Sequence, residues 1–134
     1  MGLIHFGDKD HFCIKAEKRF DEAAIRTFCE DFGLAFYDTA CEVRRLRDNA
    51  SDAFLEVVTP TDIPALLGRI PHCSTLVTTG EKASGIVAET FGCAVPPVGG
   101  YVDIGPLRFW RMPSTSRAYP LPLEKKADAY RLLF

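Results

Sequence analysis

Stretches of strand character alternate with stretches of helical periodicity along this chain. That order predicts an α/β fold, a three-layer α/β/α sandwich with a mostly parallel central sheet. Three observations carry the prediction. A β-branched run at 74–79 meets Gly80 and then a helical segment at 81–91 that Gly92 stops. An apolar and aromatic run at 107–112 ends on Pro113, which has no N–H to give a sheet ladder. Ala16, Phe20, Ala23, Ala24, Phe28 and Phe32 recur three or four apart, as one buried helix face requires. With 134 residues the chain is expected to be one domain, 1–134, built on a single core.

Taken in order, residues 1–14 show no sustained period and predict an irregular lead-in. The helix over 15–32 follows, with Glu17, Lys18, Asp21, Glu22, Arg26 and Glu30 on its polar face and Gly33 as its stop. Leu34, Ala35, Phe36 and Tyr37 predict a short strand buried on both faces, closed by Asp38 and Thr39. The segment 41–52 is polar and charged, with Arg44, Arg45 and Arg47 ahead of Asp48, Asn49, Ser51 and Asp52. Two readings fit it: cations and amides delivered to a ligand beyond a strand end, or a solvated connection with local Arg–Asp pairs.

Val57 and Val58 lead into a short helix, with Thr61 or Asp62 as cap, Pro64 in its first turn, and Gly68 and Pro71 beyond. Pro96, Pro97, Gly99 and Gly100 stiffen a turn, after which 101–104 and 107–112 predict a hairpin. Leu123, Ala127, Tyr130 and Phe134, opposed by Glu124, Lys125, Lys126, Asp128 and Arg131, predict a closing amphipathic helix within 121–134.

The totals narrow the function. A net charge of −2 argues against broad nonspecific nucleic-acid binding, which rests on phosphate neutralisation, and leaves room for a local basic site. The five cysteines (Cys13, Cys29, Cys41, Cys73 and Cys93) are odd in number, widely spaced and without a Cys-x-x-Cys pair. Buried free thiols are therefore expected, rather than a disulfide framework or a zinc site. His5 and His11 have no third ligand at usable spacing, so no metal is expected. Gly80 stands alone, without a Walker A or GxGxxG pattern, so no nucleotide cofactor is expected either. His5, Asp8, Lys9 and Asp10 occupy the place of an apolar leader, and no run is apolar enough for a membrane helix. A cytoplasmic protein is the expectation.

The segment with the most chemistry follows the 107–112 run. Pro113, Ser114, Thr115, Ser116 and Arg117 bring hydroxyls, backbone N–H groups and a guanidinium to the carboxyl end of a strand, where open α/β sheets bind ligands. That set suits a polyanion. A polar turn with a solvated arginine uses the same residue types.

Met112-Pro113-Ser114-Thr115-Ser116-Arg117-Ala118 also resembles the Pro-Ser loop of the uracil-DNA glycosylase superfamily, in its hypoxanthine-DNA glycosylase-like branch. The resemblance continues in order through residues 33–38, 61–67 and 77–83. It implies a uracil-DNA glycosylase-like sandwich that acts on DNA, removing uracil or hypoxanthine by hydrolysis of the N-glycosidic bond. The loop residues Pro113, Ser114, Thr115, Ser116 and Arg117 would grip DNA, and Thr79, Gly80 and Lys82 would line the base pocket. Where the branch carries an Asp-Ser-Asn-Ile element this chain has Asp52-Ala53-Phe54-Leu55, so the aspartate matches and the asparagine does not. Asn49 and Asp52 are the catalytic candidates that remain.

The superfamily's opening strand and its Gly/Pro-rich aromatic motif have no counterpart before Phe12. A shortened relation of this kind would expose a sheet edge and suit a homo-oligomer. A catalytically impaired nucleic-acid-binding relative and a small-molecule enzyme on a similar frame are the alternative readings.

Overall fold

Asp21 decides where the first long helix begins. In a computed structural model, which describes residues 1–45 and 55–134, its carboxylate accepts from the backbone N–H of Ala24 at 3.0 Å and caps a helix over Glu22–Asp31. This helix belongs to the first of two compact units, Met1–Tyr37 with Leu121–Phe134; the second is Asp38–Pro120.

The first unit opens with helix α1 (Gly2–Phe6) and a two-stranded antiparallel ribbon, β1 (Cys13–Ile14) and β2 (Arg19–Phe20), around a 3-10 turn at Lys15–Glu17. Then come α2 (Glu22–Asp31) and, from the chain's end, α5 (Leu123–Tyr130) with a 3-10 turn at Arg131–Leu133. Two expectations are corrected here. The lead-in is a helix and a strand rather than irregular chain. The helix foreseen over 15–32 occupies only its second half, because Lys18 takes a left-handed φ of 53° and Asp21 caps after it.

The aromatic stripe of α2 does build a core. Phe28 is buried, with ring centroids of Phe32 at 4.5 Å, His5 at 5.1 Å and Phe12 at 5.3 Å; Phe134 packs on His5 at 4.6 Å. Phe20, foreseen on that face, is instead exposed in the ribbon. The run 34–37 is not a strand: no partner strand pairs with it among the described residues, and Phe36 is 73% exposed.

On α5, Ala127 and Tyr130 are buried as the spacing requires, and so is Lys126, which was expected on the polar face. Burial pushes the Tyr130 phenol from its ordinary 10.0 up to about 12. The folded chain then holds the phenolic proton after the unfolded chain has released it. The associated stability is complete below pH 10 and is lost as pH climbs toward 12. The variant Tyr130→Phe, with no phenol to ionise, should lose less stability over that window in urea titrations. Equal losses in both proteins would remove Tyr130 as the source.

The second unit contains β3 (Ala40–Arg45), β4 (Leu55–Pro60), α3 (Ile63–Gly68), β5 (Thr75–Thr79), α4 (Glu81–Phe91), β6 (Gly100–Ile104) and β7 (Leu107–Met112). β3 and β4 pair antiparallel, with Val43 opposite Val57 and Arg44 opposite Glu56. The charged segment beginning at 41 therefore opens as a strand. Its Arg44 guanidinium meets Glu56 at 3.6 Å on an exposed surface, where such pairs add about 1 kcal/mol at most. Asp62, rather than Thr61, caps α3 by accepting from Ala65 N–H at 3.0 Å. Thr61 is buried and donates to the Asp38 carbonyl at 2.7 Å.

The three-stranded sheet runs β5-β7-β6, parallel between β5 and β7 and antiparallel between β7 and β6. Phe109 is fully buried at its centre, with Leu76 and Val102 in register on either side. Val87 and Ala88 of α4 and Ile63 of α3 complete the cluster. The chain is thus mixed α/β, and parallel pairing among the described residues is confined to β5 and β7. No described helix is long and apolar enough to cross a membrane.

Candidate functional site

Because β5 and β7 are parallel neighbours, their carboxyl ends lie side by side, with Thr79 in register with Met112. The loops that leave them start at Gly80 and Pro113. Register alone therefore brings Thr79, Gly80 and Lys82 to the same sheet edge as Pro113, Ser114, Thr115, Ser116 and Arg117.

Gly80 makes the first of these turns with φ 140° and ψ 169°, a conformation open essentially to glycine alone. Its carbonyl accepts from the Ser84 hydroxyl at 2.6 Å. Ser84 Oγ is 2.8 Å from Thr78 Oγ1, which also donates to the Trp110 carbonyl at 3.3 Å. These buried hydroxyls tie the start of α4 to both strands. N-cap Gly80 has no side chain to cap α4, whose first turn, with Glu81 and Lys82, forms the positive end of the helix.

In the second loop Pro113 is buried and Ser114 half-buried, while Thr115, Ser116 and Arg117 are exposed. Ser114 Oγ accepts from Ser116 N–H, and Ser116 Oγ from Ala118 N–H, both at 3.2 Å. The hydroxyl oxygens thus bend the loop as local turns. Arg117 makes no ion pair among the described residues. Chemically the edge is a set of donors suited to an oxyanion.

Asn49 and Asp52 lie outside the described residues. Two shallow, open depressions lie elsewhere. One, lined by Ser74, Thr75, Asp103, Gly105, Pro106 and Arg108, sits at the opposite end of β5 and β7. There Arg108 donates to both Asp103 oxygens, at 2.8 and 3.3 Å, and lies 4.2 Å over the Tyr101 ring. The paired guanidinium holds the Asp103 carboxyl below its ordinary range, and Asp103 raises Arg108 in return. Arg108 is therefore committed to the sheet surface, away from the loop that follows its strand. The other, lined by Arg19, Asp21, Glu22 and Arg26 among others, belongs to the first unit.

All five cysteines are free thiols; four are half-buried and Cys41 is exposed, where buried thiols were expected. No cluster among the described residues holds three potential metal ligands. One residue of the edge escaped the sequence reading. Arg111 sits in register with Thr78, two positions beyond Phe109, on the core-facing side of β7. A cation at an inward position of an alternating strand was the available signal. No family model, no curated protein and no solved structure matches the chain.

Proposed function

We propose that the chain is a DNA-repair glycosylase-like protein that hydrolyses the N-glycosidic bond of deaminated bases, uracil or hypoxanthine, in DNA. The observation that carries the reading is the Thr79–Met112 register, which gathers two donor-bearing loops at the carboxyl ends of adjacent parallel strands. On this reading β5, α4 and β7 belong to a three-layer α/β/α frame. The loop at 113–117 holds backbone phosphates through hydroxyls, N–H groups and Arg117, and Thr79, Gly80 and Lys82 border the recess that takes the extruded base. Asn49 and Asp52 orient the attacking water. Bond cleavage then follows electrostatic stabilisation of the leaving base and the oxocarbenium-like sugar.

A second reading, a nucleic-acid-binding relative without base excision, is favoured by one specific feature. Ala53 and Phe54 stand where the resembled motif has serine and asparagine. Incubation with duplexes containing uracil, hypoxanthine or xanthine, followed by alkali, separates the two. Strand breaks at the modified base support excision; retention of the duplex without breaks supports binding alone. In either case Arg117→Ala should weaken duplex binding about tenfold and lower the slope of log K against log salt by about 1. Binding that keeps both its strength and its salt dependence would remove the loop as the DNA grip.

A further inference from the structure

We propose that Arg111 is an anion-binding residue of the sheet edge, built to hold a phosphate group through one face of its guanidinium. Strand geometry comes first. Residues in register on parallel strands share a face, and Thr78, the partner of Arg111, points to α4, where its hydroxyl meets Ser84 at 2.8 Å. The Arg111 side chain therefore leaves the sheet on the α4 side, close to the carboxyl end of β7. Nη1 confirms that direction by donating to the Pro96 carbonyl at 3.4 Å, in the turn that follows α4.

What the guanidinium does not touch is more informative. Nε is sealed from solvent and has no acceptor, and no carboxylate pairs with Arg111 among the described residues. A buried donor without an acceptor is costly, and a cation on the core-facing side of a strand is rare unless paired. Nη1, the nitrogen on the Cδ side, is the one engaged by Pro96. The parallel Nε–H and Nη2–H pair remains, the fork that meets two oxygens of one phosphate. The residue as a whole is half-buried although Nε is sealed, so its exposed surface lies on its other atoms. A phosphate in contact with the guanidinium would neutralise the charge, and a side-chain shift that unseals Nε would give that nitrogen its missing acceptor as well.

The shared chemistry is a phosphate group, and two sources carry it: a free phosphate or mononucleotide, and the backbone of a nucleic acid. The inference does not rest on base excision. A protein that binds phosphate here and leaves every duplex intact still fulfils it.

The test is titration calorimetry of the full chain with inorganic phosphate, a nucleoside 5′-monophosphate and a short DNA single strand, repeated with Arg111→Gln and Arg111→Lys. Wild type should bind at least one probe. Arg111→Gln should weaken that binding by about tenfold or more, and Arg111→Lys by less, since it keeps the charge and loses the fork. Preference for the first two probes identifies a small phosphate, and preference for the third a nucleic acid. Should Arg111→Gln fail to fold, phenylglyoxal labelling of wild type reads the same contact: the tightest probe should slow modification of Arg111 about tenfold. No binding of any probe, equal binding by Arg111→Gln, or unprotected labelling of Arg111 overturns the proposal.

Discussion

Replacing Phe109 with alanine should destabilise the protein by about 3–5 kcal/mol, the largest effect expected of any single truncation among the described residues. Phe109 has no exposed surface, sits on the central strand of the three-stranded sheet, and joins the cluster of Ile63, Val87 and Ala88. Removing the ring takes away its transfer free energy and leaves a cavity. The walls come from the two flanking strands and two helices, so collapse around the gap would break sheet register. Against a total of about 5–15 kcal/mol for a domain this size, the loss is about a fifth or more. Phe109→Leu keeps most of the volume and should cost about 1.5 kcal/mol or less. Urea midpoints of the two variants check the pair, and a loss below about 1 kcal/mol for Phe109→Ala would place the core elsewhere.

The sequence made this centre legible because its elements carry their own punctuation. The helix foreseen over 81–91 is found at Glu81–Phe91, between Gly80 and Gly92. The strand at 107–112 ends, as foreseen, where Pro113 begins. Residues 34–37 were misread for a reason that composition cannot supply. A short apolar run becomes a strand only if another strand offers it a ladder, and none does among the described residues. The start of α2 shows the converse. Apolar spacing ran through Ala16 and Phe20, but one left-handed residue, Lys18, and one capping carboxylate, Asp21, overrode it.

The site was legible in part for the same physical reason. A loop after a strand is visible as a composition change, so residues 113–117 and Gly80 stood out individually. That they share an edge depends on parallel register, which is a long-range pairing absent from either segment alone. Arg111 was hidden by its neighbours. It lies inside an aromatic run where the eye follows Phe109 and Trp110, and only the pairing with Thr78 assigns it to the α4 side. Arg108, in the same run, turns out to serve Asp103 and Tyr101 at the far end of the strands.

Gly80→Ala and Gly85→Ala should move stability in opposite directions, although the two glycines sit five positions apart and an added Cβ would meet nothing within 4 Å at either. With sterics equal, backbone conformation alone decides. Gly80 holds φ 140° and ψ 169°, so alanine there stores about 1–3 kcal/mol of strain or forces the turn to relax. Gly85 lies within α4, where alanine restricts the unfolded chain and favours helix, a gain of about 0.5–1 kcal/mol. The functional consequence follows from the hydroxyl network: the Gly80 carbonyl is anchored by Ser84, which meets Thr78. A relaxed turn moves the first turn of α4, so on the proposed DNA-binding reading Gly80→Ala should also weaken duplex binding, while Gly85→Ala leaves it unchanged. Urea midpoints and duplex titrations on both variants measure this. Equal stabilities, or equal DNA affinities with a destabilised Gly80→Ala, would separate the turn from the binding edge.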